Sequence, residues 1–149
     1  MRPHVIRVRR CSVTDLPGVL GIERASFAAD AWPRELFVDL LKESPRLFLA
    51  GIVDGHVVGY IAAVVRDDAA ELVSLAVHPN FRGRGVAGAL MRRVLVRLRG
   101  VHIKRCWLTV RPGNRGAIRL YRSFGFRRVR RVKDYYRKGR DGLRLRLDL

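Results

Sequence analysis

The pair Asp54-Gly55 stands between two apolar, strand-like runs, residues 46–53 and 56–66. An Asp-Gly pair supplies the positive-φ residues of a tight hairpin turn, so the two runs are committed to an antiparallel ribbon. The rest of the chain must pack around that ribbon. It alternates between strand and helix periodicity, with no repeat and no low-complexity stretch.

Residues 5–9 alternate and predict a strand. A helix is expected from Thr14, as N-cap, to about Phe27, with Pro17 tolerated in its first turn. Residues 33–43 predict a second helix, opened by Pro33, with Leu36, Phe37, Leu40 and Leu41 on its apolar face. Beyond the hairpin, residues 71–77 predict a strand that stops at His78-Pro79. Residues 84–99 follow as a helix with Val86, Leu90, Val94 and Leu98 on one stripe. Residues 103–110 predict a buried strand, and 114–124 a helix capped by Asn114 and stopped by Gly125. Residues 126–133 and 143–149 alternate cleanly and should pair across a loop at 135–142. The order β-α-α-β-β-β-α-β-α-β-β predicts an α/β fold in one domain, 1–149, with a mixed, mostly antiparallel sheet and helices on both faces. A chain of 149 residues is long enough to bury such a core.

Charge is distributed unevenly. Residues 1–71 hold nine basic and ten acidic side chains, whereas residues 72–133 hold 17 basic ones and no Asp or Glu. A cationic field of that size favours a polyanionic partner, with a ribosome surface or RNA as the natural examples, although a solvated arginine-rich face would give the same count. Two cysteines, Cys11 and Cys106, and no apolar signal core point to reduced thiols and a cytoplasmic setting. No run of 18 apolar residues suggests a membrane span. The histidines His4, His56, His78 and His102 lack metal-ligand spacing, so no metal is expected.

The chemistry is concentrated at two strand-to-helix junctions in the basic half. The first runs Leu75-Ala76-Val77-His78-Pro79-Asn80-Phe81-Arg82-Gly83-Arg84-Gly85-Val86-Ala87-Gly88. A glycine-rich turn that opens a helix aims backbone N–H groups and the positive end of the helix dipole at an anion. Gly83-x-Gly85-x-x-Gly88 spells a dinucleotide fingerprint, but no acid follows about twenty residues later to hold a ribose. Gly83-x-x-x-x-Gly88 would begin an ATP-binding loop, but Ala89-Leu90 replaces the required Lys and Ser/Thr.

Arg82-x-x-Gly85-x-Ala87 after a strand resembles the coenzyme A signature of the GNAT superfamily of N-acyltransferases. The second junction is similar to another helix of that superfamily, through Asn114-x-x-Ala117-x-x-Leu120-Tyr121 and Gly125-Phe126. Resemblance is closest to the branch that acetylates protein N-termini, including the ribosomal-protein alanine acetyltransferase. It implies acetyl-CoA as donor, with the backbone of Leu75, Ala76 and Val77 binding the pantetheine arm as an added strand. It also implies that Gly83, Gly85, Val86, Ala87 and Gly88 cradle the pyrophosphate, with charge from Arg82 and Arg84. Asn114 would hydrogen-bond the cofactor and Ala117 would leave it room. Tyr121, which by periodicity alone is a core residue, would protonate the leaving thiolate. Phe27, Trp32, Tyr135 and Tyr136 would meet the acceptor. Trp107 is expected in the core, and Trp32 either there or at the acceptor mouth.

The same resemblance exposes a gap. The ribosomal-protein branch carries its general base as Glu in Leu-Glu-Val-Arg, where this chain has Leu108-Thr109-Val110-Arg111. Glu71, opening the strand before the glycine turn, occupies the base position of other members of the superfamily. It is expected to act through a water, on a strand face shared with Val73 and Leu75. An N-terminal α-amine, with a pKa of about 7.7–8.0, needs far less help from a base than a lysine near 10.4. A protein N-terminus is therefore the expected acceptor. A small-molecule amine, or a non-enzymatic nucleic-acid-binding module, remains open.

Overall fold

A computed structural model describes residues 5–149; His4, considered above as a metal ligand, lies outside the described residues. The elements are β1 (Arg7–Arg10), α1 (Leu16–Phe27), α2 (Arg34–Glu43), β2 (Phe48–Val53), β3 (His56–Arg66), β4 (Ala69–Val77), α3 (Val86–Gly100), β5 (Arg105–Val110), α4 (Arg115–Ser123), β6 (Arg127–Arg137) and β7 (Arg140–Asp148). The seven strands form one sheet in the order β1-β2-β3-β4-β5-β7-β6. Among the described residues only β4 and β5 run parallel.

The element order matches the sequence reading, with shifts at the ends that have local causes. A short 3₁₀ turn, Val13–Asp15, precedes α1, so Thr14 lies inside that turn instead of capping the helix. Asp15 fixes the entry: its carboxylate accepts from the Ser12 backbone N–H at 2.8 Å and from both ends of the Arg9 guanidinium at 2.6 and 3.0 Å. Helix α3 starts at Val86, not Arg84, because Gly85 adopts φ +84°. The last hairpin turns at Lys138-Gly139, which puts Tyr135 and Tyr136 on β6 and not in a loop.

Two apolar clusters cover the two faces of the sheet. On one, Val86, Leu90, Val94 and Leu98 of α3 are buried against Leu49, Ile61 and Leu108. On the other, Leu16, Val19 and Ile22 of α1 and Phe37 of α2 pack against Phe48 and Tyr60. Burying a large apolar side chain contributes roughly 1.5–3 kcal/mol, so these two layers supply most of the fold's driving force. Gly59 brings α3 close to the sheet: a Cβ there would lie 2.9 Å from Val86 Cγ1. Trp107 departs from the expected core position. It is half-buried on the sheet surface, beneath the guanidinium groups of Arg144 (5.0 Å) and Arg146 (5.6 Å).

Two irregularities shape the site. Ala62 pairs with Ser74 and Ala63 with Leu72, so Val73 is an extra residue, a bulge in β4. Before it, Ala70 and Leu72 face α3; after it, Leu75 and Val77 do, while Ala76 faces α1 and α2. Glu71 and Leu75 therefore do not share a face as simple alternation predicts. The second irregularity is that β4 and β5 stay paired for only three residues, Ala69 to Glu71 against Arg105 to Trp107. Beyond them β4 follows β3 to Val77 and β5 follows β7 to Val110, leaving a gap in the middle of the sheet.

Candidate active site

The gap opens a cavity of about 870 Å³ whose walls come from β4, β5, α1, α4 and the last hairpin. A second cavity of about 400 Å³ adjoins it, and Trp32 and Tyr135 line both. Beyond Glu71 the edge of β4 that faces β5 carries no ladder partner, while its other edge is bonded to β3. Such an edge presents backbone donors and acceptors to an extended, amide-containing ligand.

The glycine turn is held by backbone geometry. His78 N–H donates to the Val58 carbonyl at 2.7 Å, and Asn80 N–H to His78 Nδ1 at 3.1 Å. Gly83 and Gly85 adopt φ of +74° and +84°, and a Cβ at either would meet nothing within 4 Å. These glycines are demanded by conformation and not by packing. The space before the first turn of α3 stays open to an anion, so the turn fits a pyrophosphate. Arg82 is partly committed elsewhere: its Nε donates to the Val77 carbonyl at 3.1 Å and its Nη2 to Ser26 Oγ at 3.3 Å. Arg84 lies over the Phe81 ring at 5.4 Å. Arg82 thus braces the turn against α1 while keeping its charge near it.

On the opposite wall Asn114 caps α4, its Oδ1 accepting from Ala117 N–H at 3.2 Å. Both residues line the larger cavity, as does Tyr121. The Tyr121 ring is buried against Phe126 at 5.8 Å, and its hydroxyl has no hydrogen-bond partner among the described residues. Burial raises its pKa well above the usual phenol range, so it carries its proton at any physiological pH.

The acceptor side is aromatic. Phe27 ends α1 and Trp32 follows in the connection to α2, while Tyr135 and Tyr136 project from β6 with their rings edge to face at 4.8 Å. Tyr136 donates to the Thr109 carbonyl at 3.4 Å and lies under Arg111 at 5.2 Å. Asp30 joins these parts: it pairs with Arg111 after β5 and with Arg137 of β6, the latter at 2.5 Å. This clasp was not legible in the sequence, because its members are 81 and 107 residues apart and each looks like an ordinary surface charge.

Glu71 lines the smaller cavity, not the larger one that holds Tyr121. Both of its oxygens are taken by Arg144, at 2.5 and 2.6 Å, and Arg144 also donates to Thr109 Oγ1 at 3.2 Å. A different carboxylate lines the larger cavity. Glu23 of α1 is 1% exposed and accepts from the Tyr60 hydroxyl, from Ser74 Oγ at 2.9 Å and from Trp32 N–H at 3.4 Å. One signal for it was available: Leu16, Val19, Glu23 and Phe27 fall at helical spacing, which sets an acid on an apolar stripe. Cys11 and Cys106 are free and buried, which pushes both thiols up to about 12 and leaves them unreactive. Among the described residues no His/Cys/Asp/Glu cluster is arranged for a metal, and no helix is long and apolar enough to cross a membrane.

Comparison with known proteins agrees with this geometry. The family described as "Acetyltransferase (GNAT) family" matches residues 17–126. An N-alpha-acetyltransferase of Sulfurisphaera tokodaii is 31% identical over 91% of this chain and 88% of its own. A [ribosomal protein bS18]-alanine N-acetyltransferase of Salmonella typhimurium is 32% identical over 84% and 83%. Among solved structures, Ard1 from Thermoplasma volcanium superposes with a TM-score of 0.91 at 28% identity, over 97% of both chains.

Proposed function

We propose that this chain, which belongs to the acetyltransferase (GNAT) family, acetylates the N-terminal α-amine of a protein. Membership fixes the reaction class: the protein is an acetyltransferase and its acyl donor is acetyl-CoA. Bound acetyl-CoA supplies an activated acyl carbon and a thiolate leaving group. The free edge of β4 at Leu75, Ala76 and Val77 would hold its pantetheine arm. The turn from Gly83 to Gly88, with Arg82, Arg84, Val86 and Ala87, would hold the pyrophosphate. Asn114 and Ala117 would flank the arm from α4.

The observation that carries the N-terminal reading is the aromatic groove formed by Trp32, Tyr135 and Tyr136, whose flanking segments are tied together by Asp30. Fixed rings on two sides of an opening suit an extended peptide whose first residue enters the gap. Relatives named for N-alpha and ribosomal-protein alanine acetylation match most of the chain and support the same reading. Tyr121 stands as the acid: its buried, unpartnered phenol keeps a proton for the departing sulfur. Glu71, the base suggested by the sequence, is already engaged by Arg144 through both of its oxygens. The cytoplasm, where both buried thiols stay reduced, is the setting we assign.

The basic half extends the proposal to a partner. Arg127, Arg128, Arg130 and Arg131 are all exposed on β6, an edge strand of the sheet. Such an edge suits the phosphate surface of a ribosome, where nascent or ribosomal protein N-termini are found.

The deciding experiment is a panel of peptides with varied first residues, side-chain lysine controls and small polyamines, assayed with acetyl-CoA by CoA release and mass spectrometry. Acetyl transfer confined to the α-amine of peptides is the expected result. Turnover of small amines alone would assign the same fold to a small-molecule enzyme.

A further inference from the structure

Among the described residues three carboxylates line the two cavities, and one of them lacks a cation. Asp30 lies between Arg111 and Arg137, and Glu71 is held by Arg144. Glu23 meets neutral donors only: the Tyr60 and Ser74 hydroxyls and the Trp32 backbone N–H. A carboxylate buried without a counter-ion is costly, and a fold retains one where function requires it. Burial holds Glu23 above the usual glutamate range, and the three donated hydrogen bonds pull the other way without cancelling it. A carboxylate offers about four acceptor positions, so three donors leave room for another.

We propose that Glu23 is the acceptor carboxylate of this enzyme: the α-ammonium of the incoming chain is its missing counter-ion, and Glu23 then takes that group's proton. This rests on the N-terminal reading above. One N–H bond of the ammonium breaks and its electron pair stays on nitrogen as the nucleophilic lone pair. The proton forms an O–H bond on Glu23 and passes to solvent when product leaves. The titratable groups around Glu23 are Tyr60 of β3 and, beyond it, Tyr121 of α4. Burial keeps both protonated, so neither brings a charge that competes with the ammonium. Ser74, next to the β4 bulge, ties Glu23 to the strand whose free edge would carry the donor, so both reactants are referenced to the same few residues.

The test compares wild type with Glu23→Gln and Glu71→Gln. At saturating acetyl-CoA and pH 7, Glu23→Gln should lower kcat/KM for a peptide roughly 10²- to 10³-fold, with the loss shrinking as pH rises and the amine deprotonates unaided. Glu71→Gln should keep the shape of the wild-type pH profile. Calorimetry in the presence of CoA gives a readout free of turnover. Wild type should bind the free-amine peptide more tightly than its N-acetylated form, and Glu23→Gln should bind the two alike. Should Glu23→Gln lose its fold, Glu23→Asp keeps the charge and should retain the amine preference with a lowered kcat. An amine preference and pH profile in folded Glu23→Gln that match wild type would overturn the proposal, as would loss of the preference in folded Glu23→Asp. A wild type that acetylates no peptide would instead overturn the reading beneath it.

Discussion

Arg144 grips Glu71 with both ends of its guanidinium, at 2.5 and 2.6 Å, reaching from β7 across β5 to β4. The same side chain donates to Thr109 and lies over Trp107. Arg144→Met removes the fork, the Thr109 contact and the stacking together. The pair is partly exposed, so solvent screening keeps the expected loss to roughly 1–2 kcal/mol. Urea unfolding of Arg144→Met, Glu71→Gln and the double variant checks this, with a coupling energy of about 1 kcal/mol expected between the two sites.

Gly85→Val should abolish acetyl-CoA binding while the fold survives. The positive φ adds strain of about 1–2 kcal/mol, well within a domain's stability, and no protein atom obstructs the new side chain. What it would fill is the open space proposed for the pyrophosphate. Calorimetry with acetyl-CoA and a thermal melt separate the two effects, and unchanged affinity would remove the turn from the site.

Tyr121→Phe should lower kcat by about 10² and leave KM for the peptide nearly unchanged, as expected for a group that acts only on the departing thiolate. Its stability should hold, because the lost hydroxyl has no partner among the described residues. Acetyl transfer to peptide at the wild-type rate would return Tyr121 to a packing role.

Glu23 also makes a prediction about folding. Its pKa is raised in the folded state above the unfolded value of about 4.3. Below that value both states hold the proton and nothing is contributed; as pH climbs through the raised value, ionisation destabilises the fold. Glu23→Gln removes that penalty. Its melting temperature should match wild type in acid and exceed it at neutral pH, and the opposite trend would contradict the assigned direction.

Association with ribosomes or RNA should weaken steeply between low and physiological salt, as release of counterions requires. Replacing Arg127, Arg128, Arg130 and Arg131 by Gln should flatten that dependence without altering kcat on a short peptide. Failure to co-sediment with ribosomes at low salt would mark the edge of β6 as a solvated face.

The order of elements was legible because each is set by local signals: Asp54-Gly55 for the hairpin, Asn114 and Gly125 for the ends of α4, glycines for the start of α3. The placement of Phe27, Trp32, Leu75, Asn114, Ala117, Tyr121, Tyr135 and Tyr136 around one cavity follows from that order. The charge partners were not legible. Arg144 meets Glu71 across 73 residues, and Glu23 meets Tyr60 and Ser74 across 37 and 51. Such pairings depend on tertiary geometry that no periodicity encodes. The bulge at Val73 escaped for a related reason, since a run of apolar residues looks regular whether or not one of them is unpaired.

That one unpaired residue reverses the parity of β4. Odd-numbered positions lie on the α1 side as far as Val73 and on the α3 side from Leu75 onward. Deleting Val73 would restore even alternation and leave both halves on their present sides and pairings, Leu72 opposite Ala63 and Ser74 opposite Ala62, so what it would remove is the local bend and added twist where β4 leaves β5. In a regular strand, positions three apart such as Glu71 and Ser74 would lie on opposite faces; the extra residue is what sets both on the α1 side, one at each cavity.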